Sequence, residues 1–430
     1  MIFSLAGYWL SLYYWDHAAV SAVRKMQLRK FRQLFEYARQ HSKFYREYYG
    51  DHGVSDLKIE CYADIAKVPS IDKSILRSHE TRNIMTRDID GHIQIHSTSG
   101  SSGEPFQVAF DRFAYYSAHV RLVKALMAGG YHPFKKALLL SRYDSGHHFE
   151  IEEEFVGIGF LQKQLGLFRR ELISVFAPVE AIIRKIEEMK PFVVWSTPSI
   201  MEIIARELKK TGRKLDIPLV LFMSENLSPE FLESFKERIG REYIDLYGCM
   251  ESPSIGYGSN QVENKKVFAN STMVEVVNRG FETGRVIGDV IITNLVNRTM
   301  PLIRFDLGDR VEVLGQDNSP FRTIGRLHGR SDDIIYFGDR YTLAHHHSYQ
   351  LFRDFHECLQ YKFIEKAGGV IVLQLRVDES VDRESVKTRA LQRWSEKYPD
   401  YPLTIEWKEE FAIDRRTGKF KVIEKYLHTA

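Results

Sequence analysis

Cysteine is scarce in this chain: Cys61, Cys249 and Cys358 are the only three in 430 residues. They are far apart and form no CxxC pair, which argues against a disulfide framework or a cysteine-based zinc site and makes a reducing cytoplasm the expected compartment. A bias of charge is missing too. Sixty Lys and Arg against 57 Asp and Glu leave a formal net charge of +3, so no nucleic-acid partner is called for, while nucleotide or acyl-phosphate substrates fit. No apolar run reaches the roughly 20 residues that a spanning helix needs. The uncharged stretch 1–15, MIFSLAGYWLSLYYW, also lacks the basic n-region of a signal peptide. It is expected to be a helix packed on the body. The alternative is a peripheral membrane contact through residues 1–15, helped by their aromatics and by the basic residues from Arg24 to Arg32.

Two further absences narrow the chemistry. No Walker A loop occurs, and the nearest candidate for a hydrolase elbow, Ser145-Gly146-His147, lacks the GxS pattern. His147-His148 and His345-His346-His347 are adjacent imidazoles without a carboxylate or cysteine at ligand spacing, and solvated loops are the expectation there.

What is present is enough apolar material for large cores, 44% hydrophobic and 13% aromatic, in a length that allows two or three domains. From His17 to Tyr49 apolar residues recur at helical spacing, predicting one or two amphipathic helices. Further on, apolar runs alternate with helical patterns: Ala137–Ser141, Val179–Lys190, Phe192–Ser196, Ser199–Lys210, Pro218–Met223, Pro229–Ile239 and Tyr243–Leu246. That rhythm predicts a parallel α/β core. Met273–Val277 and Val286–Ile292 then alternate as strands of a small β-rich subdomain. After Gly329 the chain reads as a separate α+β unit, with a strand near Asp333–Phe337, a strand pair about Gly368-Gly369, a helix Arg383–Lys397 and a strand Thr404–Lys408. The expected division is 1–329 and 330–430. The charged sequence GRSDD at the boundary suits a connection able to change φ and ψ.

The run Ser97-Thr98-Ser99-Gly100-Ser101-Ser102-Gly103-Glu104-Pro105 packs five hydroxyl residues and two glycines into nine positions. Glycine lets a backbone approach phosphate closely, and hydroxyls add neutral hydrogen bonds that form and release as pyrophosphate departs. Period-2 segments on both sides, His92–His96 and Phe106–Phe110, predict a strand–loop–strand hairpin over phosphates. The same composition suits a flexible linker, so the rest of the chain must decide.

Four more pieces bear on it. In Asp245-Leu246-Tyr247-Gly248-Cys249-Met250-Glu251 an apolar strand runs into an aromatic, a glycine and an acid. Strand ends of this kind bind ligands in α/β sheets, and a carboxylate there can hold Mg²⁺ against phosphate oxygens. In Met300-Pro301-Leu302-Ile303-Arg304-Phe305-Asp306-Leu307-Gly308-Asp309, Asp309 could accept both ribose hydroxyls, or the piece is a turn with a salt-bridged Arg304. Gly329 to Arg340 and Arg416-Thr417-Gly418-Lys419 complete the set.

In this order the five pieces closely resemble the adenylate-forming superfamily of acyl-CoA synthetases, adenylation domains and luciferases. Thr98–Pro105 matches the family's TSG-S/T-TG-x-P, Tyr247–Glu251 its YGxTE, Leu307–Asp309 its TGD, Gly329–Arg340 its GRxDDxIxxxGxR, and Thr417–Lys419 its TGK. The short length, the opening helix FEYARQHSKFYREYY and the phrase MPLIRFDLGD resemble the phenylacetate-CoA ligase branch, with its capsule-biosynthesis and coenzyme F390 synthetase-like members.

The resemblance implies a large N-terminal α/β domain with a small β-rich subdomain, and a small mobile α+β C-terminal domain. It implies ATP, Mg²⁺ and CoA as cofactors. It implies Thr98, Ser99, Gly100, Ser101, Ser102 and Gly103 in the phosphate loop, Tyr247 and Gly248 at adenine, Glu251 on Mg²⁺, Asp309 on ribose and Arg330 near ribose and phosphates. Asp332 would be the hinge. Lys419 would be catalytic, stabilising charge at the α-phosphate during adenylation and swinging out for the second half-reaction. Glu225, in Ser224-Glu225-Asn226, would line the adenine or acyl site.

The implied reaction activates a small carboxylic acid as an acyl-adenylate and passes it to CoA or a carrier-protein phosphopantetheine. Transfer to an amine or hydroxyl acceptor in polysaccharide or secondary-metabolite biosynthesis, and a degenerate relative that binds without turnover, are the alternatives. The second is motivated by departures from the pattern, Met250 and Leu307 each replacing a threonine; Phe106 also stands where many members have lysine, but the resembled branch commonly lacks that lysine too. Tyr143, Phe222 and Tyr257 suggest an apolar pocket or a place in the core.

Overall fold

The protein is described from a computed structural model, over residues 2–87, 93–97, 107–141, 164–227, 229–282, 285–314, 322–330, 335–337, 341–343, 358–366, 369–377, 381–411 and 423–424. The chain opens with three helices, α1 (Ile2–His17), α2 (Val20–His41) and α3 (Lys43–Asp51). The periodic stretch thus forms two helices after α1, and Ser42 separates them. Its extended backbone stops α2, and its hydroxyl accepts from the Tyr45 amide at 3.4 Å to start α3. Val23, Met26, Phe31, Leu34, Phe35 and Ala38 form the buried face of α2. Three short helices follow, α4 (Tyr62–Ile65), α5 (Lys73–Arg77) and α6 (Thr81–Ile84).

Next come β1 (Ile93–Ser97) and β2 (Gln107–Asp111), antiparallel and in register from Ile93 opposite Asp111 to Ser97 opposite Gln107. The expected hairpin is therefore present. Residues 98–106 between its strands lie outside the described residues. Asp111 accepts from the Ala114 amide at 2.8 Å and caps α7 (Arg112–Ala128), a helix buried on most sides.

The central sheet then builds in alternation: β3 (Ala137–Ser141), β4 (Arg170–Ser174), α8 (Val179–Met189), β5 (Val193–Ser196), α9 (Pro198–Lys210), β6 (Ile217–Met223), α10 (Pro229–Arg238) and β7 (Gly240–Tyr247). β8 (Gly256–Ser259) and β9 (Val262–Val267) extend it antiparallel. With β13 (Thr323–Ile324) the order across eight strands is β13-β9-β8-β7-β6-β5-β3-β4, and β4, β3, β5, β6 and β7 run parallel. A strand buried on both faces reads as a continuous apolar run rather than an alternation, and Val193 to Ser196 are all buried.

A second sheet holds the hairpin β10 (Thr272–Glu282) and β11 (Arg285–Asn294), then β12 (Phe305–Glu312) and β14 (Leu327–Arg330). It is the small β-rich element that the alternation of residues 273–292 predicts. Phe222, fully buried against Phe235, is core, and Tyr257, half-buried, packs on the core 5.6 Å from Phe268. Tyr143 and both histidine clusters lie outside the described residues.

The chain divides into two compact units, one of residues 1–225, 234–307 and 311–326, the other of 226–233, 308–310 and 327–430. The second contains the pair β15 (Ile335–Phe337) and β16 (Tyr341–Leu343). Its larger sheet is formed by β17 (Cys358–Glu365), β18 (Ile371–Val377), β19 (Leu403–Trp407) and β20 (Ile423–Glu424) in the order β19-β18-β17-β20. Helix α11 (Arg383–Lys397), capped by Asp382, places Val386, Ala390 and Trp394 in a core with Phe363, Leu373 and Leu375. The helix and strands expected after Gly329 are all found.

Candidate functional site

Strands β6 and β7 are parallel neighbours, with Met223 opposite Leu246, so the segments that follow them leave the same carboxyl edge of the sheet. After β6, Ser224 takes a left-handed φ of 69°. This turn sends Glu225 to the start of α9, where its carboxylate accepts from the Ser199 amide at 2.9 Å and the Ser199 hydroxyl at 3.0 Å. An acid at the positive end of a helix is favourable. Both of its oxygens therefore serve a cap, a structural role that the residue's sequence context did not reveal.

After β7 the chain makes a tight loop. Tyr247 is buried, and a Cβ at Gly248 would lie 2.7 Å from the Ser254 amide nitrogen. Only glycine fits there. Cys249 and Ser252 exchange backbone hydrogen bonds of 3.3 and 3.2 Å, and the Ile255 amide returns to the Tyr247 carbonyl at 2.8 Å. From α7, the buried Arg121 donates to the Ser254 carbonyl at 2.9 Å and to the Pro253 carbonyl at 2.7 Å. The loop is thereby held at both ends. Burial foremost, and then Glu251, push the Cys249 thiol well above its ordinary range, which makes it a poor nucleophile.

This loop delivers Glu251 to a buried position, 1% exposed, where Oε1 lies 2.6 Å from Nζ of Lys73; the lysine keeps 28% of its side chain exposed. Lys73 comes from the first turn of α5. Asp72 caps that helix through the Ile75 amide at 2.8 Å, and Ile71 fixes it to β12 by exchanging hydrogen bonds with Arg304 and Asp306 at 3.0 and 2.8 Å. The sequence reading missed Lys73. The signal was a cation in the first turn of a helix, a position the macrodipole disfavours unless a carboxylate waits beside it.

Arg304 resolves to the structural reading. Its left-handed φ of 49° aims the guanidinium at Glu275, 3.2 Å away, and at the carbonyls of Ala66 and Val68. The phrase MPLIRFDLGD thus positions α5 and its lysine. Asp309 and Arg330, both in the second unit, fall on β12 and β14, neighbouring strands of one sheet. Residues 98–103, Asp332 and Lys419 lie outside the described residues.

Among the described residues no three His, Cys, Asp or Glu side chains gather as a metal cluster. That does not disqualify magnesium, which binds through one or two carboxylates with the remaining positions filled by phosphate oxygens and water. A single buried carboxylate at a strand end, Glu251, fits that need.

No family model matches the chain. Curated relatives include the phenylacetate-coenzyme A ligase of Pseudomonas putida, 24% identical over 334 residues, 74% of this chain and 73% of that protein. The same enzyme of Thermus thermophilus is 22% identical over 73% of this chain and 71% of its own length. Protein CapK of Staphylococcus aureus is 19% identical over 84% of this chain and 80% of its own. Among solved structures, 2-hydroxyisobutyryl-CoA ligase in the postadenylation state with 2-HIB-AMP superposes with a TM-score of 0.70 at 18% identity, covering 94% of this chain and 89% of that one. In sequence the chain is thus similar to phenylacetate-CoA ligases and to CapK, and it shares the fold of 2-hydroxyisobutyryl-CoA ligase.

Proposed function

We propose that the protein is an ATP-dependent acid–thiol ligase. A carboxylate oxygen of the substrate attacks the α-phosphorus of ATP, the bond to the β-phosphate oxygen breaks, and pyrophosphate leaves with its electron pair. A thiolate, that of CoA, then attacks the acyl carbon, and AMP departs. The observation that carries this reading is the buried Glu251 beside Lys73 on the carboxyl edge of the parallel sheet, in a loop held by Gly248 and Arg121.

The chemistry needs what that arrangement offers. Bringing a carboxylate onto a polyphosphate sets anion against anion, and the repulsion must be neutralised by cations fixed in place. Mg²⁺, held by Glu251 and by phosphate oxygens, would supply part of that charge when bound. Lys73, with 28% of its side chain exposed, would be able to exchange Glu251 for a phosphate oxygen. Tyr247 would border adenine. Asp309 and Arg330, on adjacent strands, would take the ribose and phosphates, and Thr98 to Gly103 would close over the β- and γ-phosphates. Lys419 would complete the adenylation state, with Asp332 as the hinge between 1–329 and 330–430.

Three cysteines far apart in sequence, with no CxxC pair, suit a cytoplasmic enzyme. A second reading, in which an amine or hydroxyl of a polysaccharide precursor takes the acyl group, draws on the CapK match, which reaches over 392 residues where the Pseudomonas ligase match reaches 334. A carrier-protein phosphopantetheine remains a third acceptor to test. Mass spectrometry of reactions containing Mg-ATP, a panel of aryl, fatty and hydroxy acids, and CoA or amines decides among them. Acyl-AMP that converts to acyl-CoA supports the ligase, and acyl-amide or ester without thioester supports the second reading. ATP binding with no acyl-AMP from any acid contradicts both and favours a binding protein.

A further inference from the structure

We propose that α1 and α2 form a docking face for an anionic lipid bilayer. Helix α1 is apolar but for Ser4, Ser11 and its last two residues, Asp16 and His17, and the body uses only one side of it. Leu5, Tyr8 and Leu12 pack into the core with α7, while Phe3, Leu10 and Tyr14 stand 93%, 69% and 64% exposed. With Gly7, also exposed, they recur at i, i+4, i+7 and i+11, so they form a single stripe along the helix. The stripe contains no charge. Among the described residues no other element presents more than one large exposed hydrophobic side chain, whereas α1 presents four, Tyr13 included. Scattered exposed apolar residues need no explanation; a continuous uncharged stripe does.

The charge lies next door. Between Asp16 and Glu36 the chain has no acid and carries Arg24, Lys25, Arg29, Lys30 and Arg32. Lys25, Arg29 and Arg32 are exposed at i, i+4 and i+7 on the side of α2 away from its buried face. The two helices are fixed to one another through residues 269–270: Ser11 accepts from Asn270 at 3.1 Å, Gln27 donates to the Ala269 carbonyl at 2.7 Å, and Lys30 to the Asn270 carbonyl at 2.5 Å. Trp15 and Ala18 pack with Val23, Met26 and Ala269 at the corner. Burial first, and then the neighbouring Arg29, Arg121 and Arg298, bring Lys30 down to about 8.

A wet protein partner would be served by the basic stripe alone, and a second copy of the chain would set like charge against like. A bilayer with acidic headgroups satisfies both features together: the aromatic and aliphatic stripe enters the interface, and the cations meet phosphates. At 16 residues α1 spans about 24 Å, short of the roughly 30 Å hydrocarbon core. It therefore lies in the surface plane. No helix among the described residues is long and apolar enough to cross.

The test is co-sedimentation of the full chain with vesicles of phosphatidylcholine alone or mixed with phosphatidylglycerol. The wild type is expected to sediment with the mixed vesicles and to be released by high salt. Leu10→Glu with Tyr14→Glu should abolish binding, and Lys25→Ser with Arg29→Ser should weaken it about fivefold per residue, with adenylation unchanged in both variants. Absence of binding overturns the proposal. Equal binding to neutral vesicles, indifferent to Lys25→Ser with Arg29→Ser, overturns the role of the basic stripe. A wild-type dimer in light scattering that Leu10→Glu with Tyr14→Glu converts to monomer, without vesicle binding, assigns the face to a second copy instead.

Discussion

At the amino end of β7, Arg241 holds Asp216 with two hydrogen bonds of 2.7 and 2.5 Å; just past the carboxyl end, Glu251 meets Lys73 at 2.6 Å. The lengths are nearly equal and the surroundings are opposite. Arg241 and Asp216 are 72% and 66% exposed, in water that screens them and can replace either partner. Glu251 is 1% exposed, so its charge has been taken from water and depends on what the protein sets beside it. Geometry alone would rank the two pairs together. Burial separates them and marks the carboxyl end as the place where charge is kept for use.

Removing Lys73 should break that contrast most severely. Lys73→Ala leaves Glu251 buried without its cation, a change that typically costs about 3–5 kcal/mol, and should lower adenylation by about 10²–10³-fold. Glu251→Gln should reduce activity as strongly and stability less, because the freed lysine already reaches solvent. Urea unfolding beside pyrophosphate release checks both parts. Gly248→Ala comes next. Its Cβ meets the Ser254 nitrogen, so the loop must shift, and a displacement of about 1 Å at a reacting centre can cost about 10²-fold.

Arg121→Ala is expected to be milder for activity and to cost about 2–4 kcal/mol, since the carbonyls of Pro253 and Ser254 and the Tyr8 hydroxyl lose a shared donor. Thermal unfolding measures it. His119 gives the same lesson with one group in place of a pair. Burial first, then Arg170, pull this α7 histidine from 6.5 down to about 4. Between those values the unfolded chain binds a proton that the folded one excludes. The contribution is therefore complete above about pH 6.5 and is lost as pH falls toward 4, by about 3 kcal/mol in all. His119→Phe should flatten that part of the stability–pH curve. Smallest of all, Arg241→Ala should leave both the unfolding midpoint and the reaction rate at wild-type values. A loss there as large as that of Lys73→Ala would erase the distinction between the two ends of the strand.

Much of this architecture was legible in the sequence because it is periodic. The alternation from Ala137 to Leu246 gave the parallel core, the helix Arg383–Lys397 fell on its predicted bounds, and two alternating segments bracketed the loop after Ser97. Tyr247, Gly248 and Glu251 were found from local order, a strand followed by an aromatic, a glycine and an acid. What escaped is what depends on distant parts of the chain. Lys73 lies 178 positions before Glu251 (251 − 73) in a helix of five residues, too short to have a period. Arg121 is hidden in a helix whose buried sides conceal its role. Glu225 carried the right charge at the right strand end, and only the nearness of Ser199 shows that both of its oxygens are taken by a helix cap.

The most direct measurement is acid-dependent exchange of labelled pyrophosphate into ATP by the wild type, Lys73→Ala and Arg241→Ala, each confirmed folded by circular dichroism. The account predicts exchange that requires one class of carboxylic acid, is unchanged in Arg241→Ala and falls about 10²-fold or more in Lys73→Ala. Exchange that proceeds equally in all three, or in the absence of any acid, would contradict it.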